Sequence, residues 1–141
     1  MNRFILIWLA PMLATAMPSA RAGGDPAAGK AVFARCASCH QVGPSARGAF
    51  GPQLNGIVGR PAAEAGDFKY SEAMRRSGIV WSEQTLAAFI RSPGNVVPGT
   101  AMRFFGLGSE GRIEDLIAYL KSFDADGNPA GAVPSGAARR P

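Results

Sequence analysis

The sequence predicts a small all-α domain, about four short helices joined by long loops rich in glycine and proline. Three observations predict it. No segment keeps the period-two alternation of a half-buried strand. Helix starts recur along the chain, at Asp25-Pro26, after Ser82 and near Ser109. Between them 18 Gly and 11 Pro punctuate 141 residues, more than an ordinary domain carries but short of the level of a wholly disordered chain.

Taken in order, the first 22 residues read as a secretory signal. A short basic start, Met1-Asn2-Arg3, precedes an apolar run from Phe4 to Met17 and then Ala20-x-Ala22. Pro11 interrupts the run, which falls short of the roughly 20 apolar residues that span a bilayer. Cleavage after Ala22 and export to the periplasm are expected, by the general route since no twin-arginine pair precedes the run. An uncleaved anchor is the alternative. At the other end, residues 124–141 contain no large apolar side chain except Val133. They are expected to form a disordered tail. The folded unit is therefore expected over residues 23–123.

Within that unit Asp25 is placed to cap a helix with Pro26 at its first position, where the missing N–H costs nothing. This helix is expected to run to about Arg35 or Cys36. From Gln41 to Gly66 the chain is loop-like, and so long an irregular stretch points to packing around something other than secondary structure. A short helix fits Ser71 to Ser77, stopped by Gly78. Another follows Ser82 and ends before Pro93, and a second loop covers Pro93 to Gly108. The last helix carries Ile113, Leu116, Ile117 and Leu120 at the spacing of one helical face. Few large apolar residues remain for a core, so a bulky apolar group inside the fold would supply the missing buried surface.

Cys36-Ala37-Ser38-Cys39-His40 contains both cysteines and the only histidine of the chain. C-x-x-C-H is the attachment signature of c-type haem. Two thiols add to the vinyl groups on the porphyrin, and the adjacent imidazole becomes an iron ligand. A thioredoxin-like pair would need a βαβ pattern, which is absent. Zinc would need four ligands, and only three are present. A closed electron-transfer iron needs a sixth ligand, and Met is the usual partner to His. Past the signal, Met74 lies in a predicted helix and reads as core. Met102 sits in the loop Pro98-Gly99-Thr100-Ala101-Met102, 62 residues after His40, and is the candidate ligand.

With these residues in place, the unit resembles the class I c-type cytochromes, in particular the group of mitochondrial cytochrome c and bacterial cytochrome c2. Gly29 and Phe33 ahead of CASCH carry the resemblance, with Gly51-Pro52-Gln53-Leu54, Gly59-Arg60, Phe68-Lys69-Tyr70-Ser71, Gly78-Ile79-Val80-Trp81, the Met102 loop and Glu114 to Lys121. The resemblance implies the haem-enclosing cytochrome c fold, with haem c on Cys36 and Cys39 and axial ligands His40 and Met102. It implies that the Pro52 carbonyl accepts the imidazole N–H, that Tyr70 and Trp81 donate to a buried propionate, and that Arg60 stands beside it. Gly29 and Tyr119 would mark the crossing of the first and last helices. Phe89 replaces a tyrosine that would donate to the Met sulfur, so a lowered reduction potential is expected. The lysines that ring the family's exposed haem edge are mostly missing, with Gly94, Asn95 and Ala101 in their places; Arg35, Arg47 and Arg103 are the basic residues expected there.

The function implied is a soluble, periplasmic, monomeric one-electron carrier rather than an enzyme. Its expected partners are a quinol–cytochrome c oxidoreductase and a terminal oxidase, photosynthetic centre or periplasmic enzyme. A dedicated electron-transfer subunit of a dehydrogenase complex, and an open-site haem enzyme or gas-binding protein, are the alternatives. The net charge of +5 first suggests an anionic partner. Without residues 1–22, thirteen basic residues against ten acidic ones leave +3. Two propionates then bring the total close to neutral. Nucleic acid is thereby excluded as a partner, and no stable membrane insertion is expected once the signal is removed.

Overall fold

The computed structural model describes residues 23–131; the predicted signal and residues 132–141 lie outside the described residues. Five helices follow one another: α1 (Pro26–Phe33), α2 (Glu72–Arg76), α3 (Glu83–Arg91), α4 (Pro93–Val96) and α5 (Glu110–Lys121). Among the described residues the extended pairing amounts to two isolated bridges, Pro61 with Val80 and Phe123 with Pro129.

The caps explain where the helices begin. Asp25 accepts the Ala27 N–H at 2.9 Å, and its own N–H donates to Asp115 on α5 at 2.7 Å. One residue thus starts α1 and ties it to the last helix. Ser71 caps α2, and Ser82 caps α3 in a reciprocal pair with Thr85, whose hydroxyl accepts the Ser82 N–H at 2.8 Å. Ser109 holds the N-cap position of α5, but its side chain makes no capping bond.

α1 and α5 cross at closest approach, and glycine makes the crossing possible. A Cβ on Gly29 would lie 1.9 Å from the Asp115 carbonyl oxygen and 2.8 Å from Tyr119 Cβ. Tyr119 packs on Phe33 of α1, their ring centroids 5.4 Å apart. Beneath the crossing Ile113 and Leu116 are fully buried, joined by Ile117 and Leu120, as the helical spacing predicts. Met74 is buried in the same core.

Two expectations are corrected. α1 stops at Phe33, because beyond it the N–H groups of Cys36 and Ala37 both turn back to the Phe33 carbonyl and the regular ladder ends. Pro93–Val96 forms a helical turn inside the predicted loop. Pro93 suits its first position, but Gly94 and Asn95 lend little helical propensity, and burial of Pro93 and Val97 holds the turn. Past Asp124, residues 124–131 form a turn closed by short-range bonds. Asp124 Oδ1 accepts the N–H groups of Asp126 and Asn128, Ala130 N–H donates to the Ser122 carbonyl, and Gly127 is buried against Gly43. The turn is built from side-chain-to-backbone and backbone bonds and needs no apolar side chain.

Candidate haem-binding site

The CASCH segment forms consecutive turns beyond α1. The N–H groups of Cys39 and His40 both donate to the Cys36 carbonyl, at 3.0 and 2.8 Å. Cys36 is half-buried against the core and Cys39 is exposed, and both thiols are free. Burial raises the pKa of the Cys36 thiol; neighbouring Arg35 works against that shift and Cys39 adds to it.

His40 is held from behind. Its Nδ1 lies 2.8 Å from the Pro52 carbonyl oxygen, so the ring donates there and leaves Nε2 as the free, lone-pair nitrogen. Burial lowers the imidazole pKa below its ordinary value, against the opposing pull of the Pro52 carbonyl. The neutral ring, the form that can ligate a metal, is therefore favoured. Gly51 lies flat against the ring, for a Cβ there would stand 2.5 Å from His40 Cε1. Its N–H donates to the Cys39 carbonyl at 2.9 Å.

From Pro52 the chain runs directly into the next group. Arg60 donates to the carbonyls of Gln53 and Asn55, at 2.9 and 3.0 Å. Asn55, the one buried polar side chain of the described core, bonds both the N–H and the carbonyl of Gly43, at 2.8 and 2.9 Å. Arg60 and Trp81 are then joined through their backbones. The Trp81 N–H donates to the Arg60 carbonyl at 3.0 Å, and Gly59 N–H donates to the Trp81 carbonyl at 2.7 Å. Trp81 is buried, with its ring 5.1 Å from that of Phe89. Tyr70 is half-buried, edge-on to Phe68 at 4.9 Å. Burial raises the Tyr70 pKa while the positive charge of Arg60 lowers it; burial likewise lowers that of Arg60, against the pull of Tyr70. The structure thus links His40, Pro52, Arg60 and Trp81 along one path of bonds and chain, while Tyr70 packs against the core within reach of the Arg60 charge.

Met102 is held differently. It is half-buried against the core, on a loop whose turn at Gly99 (φ +87°) packs over Ala73 of α2. Its N–H donates to Thr100 Oγ1 at 3.3 Å, and no direct hydrogen bond ties it to the His40 group. Sequence reasoning quoted Gly51 only as part of a motif and did not single out Asn55. Both act through close approach between segments distant in the chain, which local spacing does not register.

These residues fit a c-type haem. Two free thiols three residues apart stand beside an imidazole with one nitrogen held by the protein and the other available. A glycine leaves room for the ring, and an arginine and a buried indole lie nearby for the acidic groups of the porphyrin. When bound, that group supplies a one-electron Fe(III)/Fe(II) couple.

Known proteins agree. The family model described as cytochrome c matches residues 26–124. Cytochrome c2 of Rhodoblastus acidophilus is 47% identical over 105 residues, covering 74% of this chain and 98% of that protein. Cytochrome c-554 of Methylosinus trichosporium is 45% identical over 129 residues, covering 90% of this chain and 98% of that one. Among solved structures, cytochrome c2 from Rhodospirillum centenum superposes with a TM-score of 0.69 at 34% identity, covering 72% of this chain and 99% of that chain. The chain belongs to the class I cytochrome c family, close to the bacterial cytochromes c2, and is an electron carrier with one haem c covalently attached through Cys36 and Cys39.

Proposed function

We propose that this protein is a periplasmic carrier of single electrons with His40 and Met102 as its axial ligands, exported by residues 1–22 and cut after Ala22. The observation that carries the ligation is the 2.8 Å contact between His40 Nδ1 and the Pro52 carbonyl, which orients the ring, sets its tautomer and leaves Nε2 to bind iron. Met102 completes the pair as the one methionine past the signal that lies in a loop, since Met74 is core. A thioether opposite an imidazole favours the ferrous state over a second imidazole, so a positive potential follows.

The surrounding residues act on charge and water. Tyr70, Trp81 and Arg60 hold a propionate, which needs donors or a positive charge once it is removed from water. The core side chains about Met102 keep other ligands away. The partners are redox proteins, a quinol–cytochrome c oxidoreductase on one side and an oxidase, photosynthetic centre or periplasmic enzyme on the other, met in small and transient contacts. Among the described residues no helix is long and apolar enough to cross a membrane.

The test is the weak long-wavelength absorption band that sulfur ligation gives ferric haem. The oxidised holoprotein shows it, and Met102→Ala abolishes it while the covalent haem is retained. Its absence from the native protein would overturn the closed-site reading. N-terminal sequencing of haem protein from the periplasmic fraction, beginning at Gly23, checks export and cleavage.

A further inference from the structure

A short ladder of contacts joins residues 40–43 to residues 52–55. At its inner end His40 Nδ1 meets the Pro52 carbonyl at 2.8 Å. Next, Leu54 N–H donates to the Gln41 carbonyl at 2.9 Å. At its outer end the Asn55 side chain bonds both the N–H and the carbonyl of Gly43. The orientation of the imidazole thus depends on a ladder whose outer rung is one buried polar side chain.

The turn beyond α5 lies across that outer rung. Gly127 is buried there with φ +82°, and a Cβ on it would stand 2.3 Å from the Gly43 carbonyl oxygen and 2.6 Å from Asn55 Nδ2. Beside it the roles are exchanged: a Cβ on Gly56 would stand 2.9 Å from Ala125 Cα. Backbone meets backbone at both places, and a glycine permits each approach.

The turn keeps its shape from within. Asp124 Oδ1 accepts the N–H groups of Asp126 and Asn128, at 3.0 and 2.8 Å, and the Asp124 N–H donates to the Asn128 carbonyl at 2.9 Å. Ala130 N–H then closes on the Ser122 carbonyl at 2.8 Å, at the end of α5. Asp124, Ala125, Asp126 and Asn128 are all exposed. The turn therefore adds little apolar burial to the core. What it covers is polar, and a covered hydrogen bond is one for which water does not compete.

We infer that the turn 124–131 is a strap over the outer end of this ladder, with Asp124 and Gly127 as positioning residues for His40. The strap keeps water from the bonds between Asn55 and Gly43. Those bonds fix the segment that carries the Pro52 carbonyl, and the carbonyl in turn holds the imidazole N–H. The inference rests on His40 as an iron ligand. An imidazole whose N–H is firmly bonded is the more basic ligand and favours Fe(III). Loosening the strap therefore frees the Nδ1–H and raises the reduction potential.

The chain has a single histidine, so isotopically labelled histidine reports on His40 alone by NMR of the reduced holoprotein. Asp124→Ala removes the acceptor that shapes the turn, and Gly127→Ala drives a Cβ into Gly43. Each is expected to speed hydrogen exchange at His40 Nδ1 about tenfold, the loss of protection that follows when one hydrogen bond is no longer held. Amide exchange at Leu116 and Ile117 on α5 stays at the wild-type rate, and protein-film voltammetry shows a higher potential. Asp124→Asn keeps the Oδ1 acceptor and behaves as the wild type does. Unchanged exchange at His40 in the Ala variants would overturn the strap. So would a rise shared equally by α5, which reports a turn that only stabilises the fold. If Gly127→Ala yields no holoprotein, the two Asp124 variants decide alone. The same spectra separate the two readings. Haem-shifted His40 nitrogens with unaltered exchange remove the strap alone, whereas nitrogens without that shift remove the ligand reading and the strap with it.

Discussion

The two sides of the site are built on different principles. On the His40 side, each part is fixed to another: ring to Pro52, Gly51 to Cys39, Asn55 to Gly43, Arg60 to Gln53 and Asn55, and Arg60 to Trp81 through the backbone. On the Met102 side, the loop is anchored at its ends, over Ala73 and at Ile90. Met102 between them has one long hydrogen bond from its own N–H. Covalent thioethers already commit the protein to His40, so hydrogen bonds there serve to fix orientation and tautomer. Met102 is held chiefly by packing, so under the proposed ligation an Fe–S bond would complete its placement.

The largest expected effect that tests this contrast is Gly51→Ala. The added Cβ meets a ring that Pro52 prevents from tilting away, so stability of the holoprotein should fall by about 3 kcal/mol, the upper range for overpacking. Urea unfolding followed by helicity measures it, and a distorted low-spin spectrum should accompany it. Wild-type stability would mean that the His40 side has slack and that the contrast is false.

Next in size, a matched pair compares the two sides directly. Asn55→Ala leaves the buried Gly43 N–H unpaired, takes one of two donors from the Gly43 carbonyl, and should cost about 2 kcal/mol. Thr100→Ala removes only the long bond to Met102 and should cost about 0.5 kcal/mol. Equal losses by urea titration would show that the Met102 loop is as firmly bonded as the other side.

A smaller difference should appear within one titration of the unaltered protein. The long-wavelength band that reports sulfur ligation should disappear at a lower urea concentration than helicity, because the Met102 loop can open without breaking the α1–α5 crossing. Coincident midpoints would mean that both sides unfold as one unit.

The same contrast separates what could be read in the sequence from what could not. CASCH, the stripe Ile113 to Leu120 and the Asp25-Pro26 start are local patterns, complete within a few residues, and each appears where its spacing places it. The resemblance led to Pro52, and the structure puts its carbonyl on His40. Gly51, Asn55 and Gly127 were not legible in this way. Their roles exist only where two distant segments approach, Gly51 on an imidazole, Asn55 and Gly127 on Gly43. The turn at Pro93–Val96 has the opposite problem, since its propensity argues against a helix and only burial of Pro93 and Val97 forms one. The last helix does open at Ser109 as the sequence places it, although the Ser109 side chain makes no capping bond.

A last expected effect concerns Phe89, buried beside Trp81 at 5.1 Å between ring centroids. Phe89→Tyr adds one hydroxyl at the position where the resemblance implies a donor to the Met102 sulfur. A hydrogen bond of about 1 kcal/mol that draws electron density from the sulfur stabilises Fe(II) over Fe(III), and for one electron that is a rise of about 40 mV. Protein-film voltammetry of the holoprotein measures the shift, and the long-wavelength band shows whether the sulfur remains bound. A rise with the band retained would place Phe89 within reach of Met102 and show that the loosely tied side is tuned by single donors. An unchanged potential with the band retained would break the link between Phe89 and the sulfur. Packing alone would then set the properties of the Met102 side.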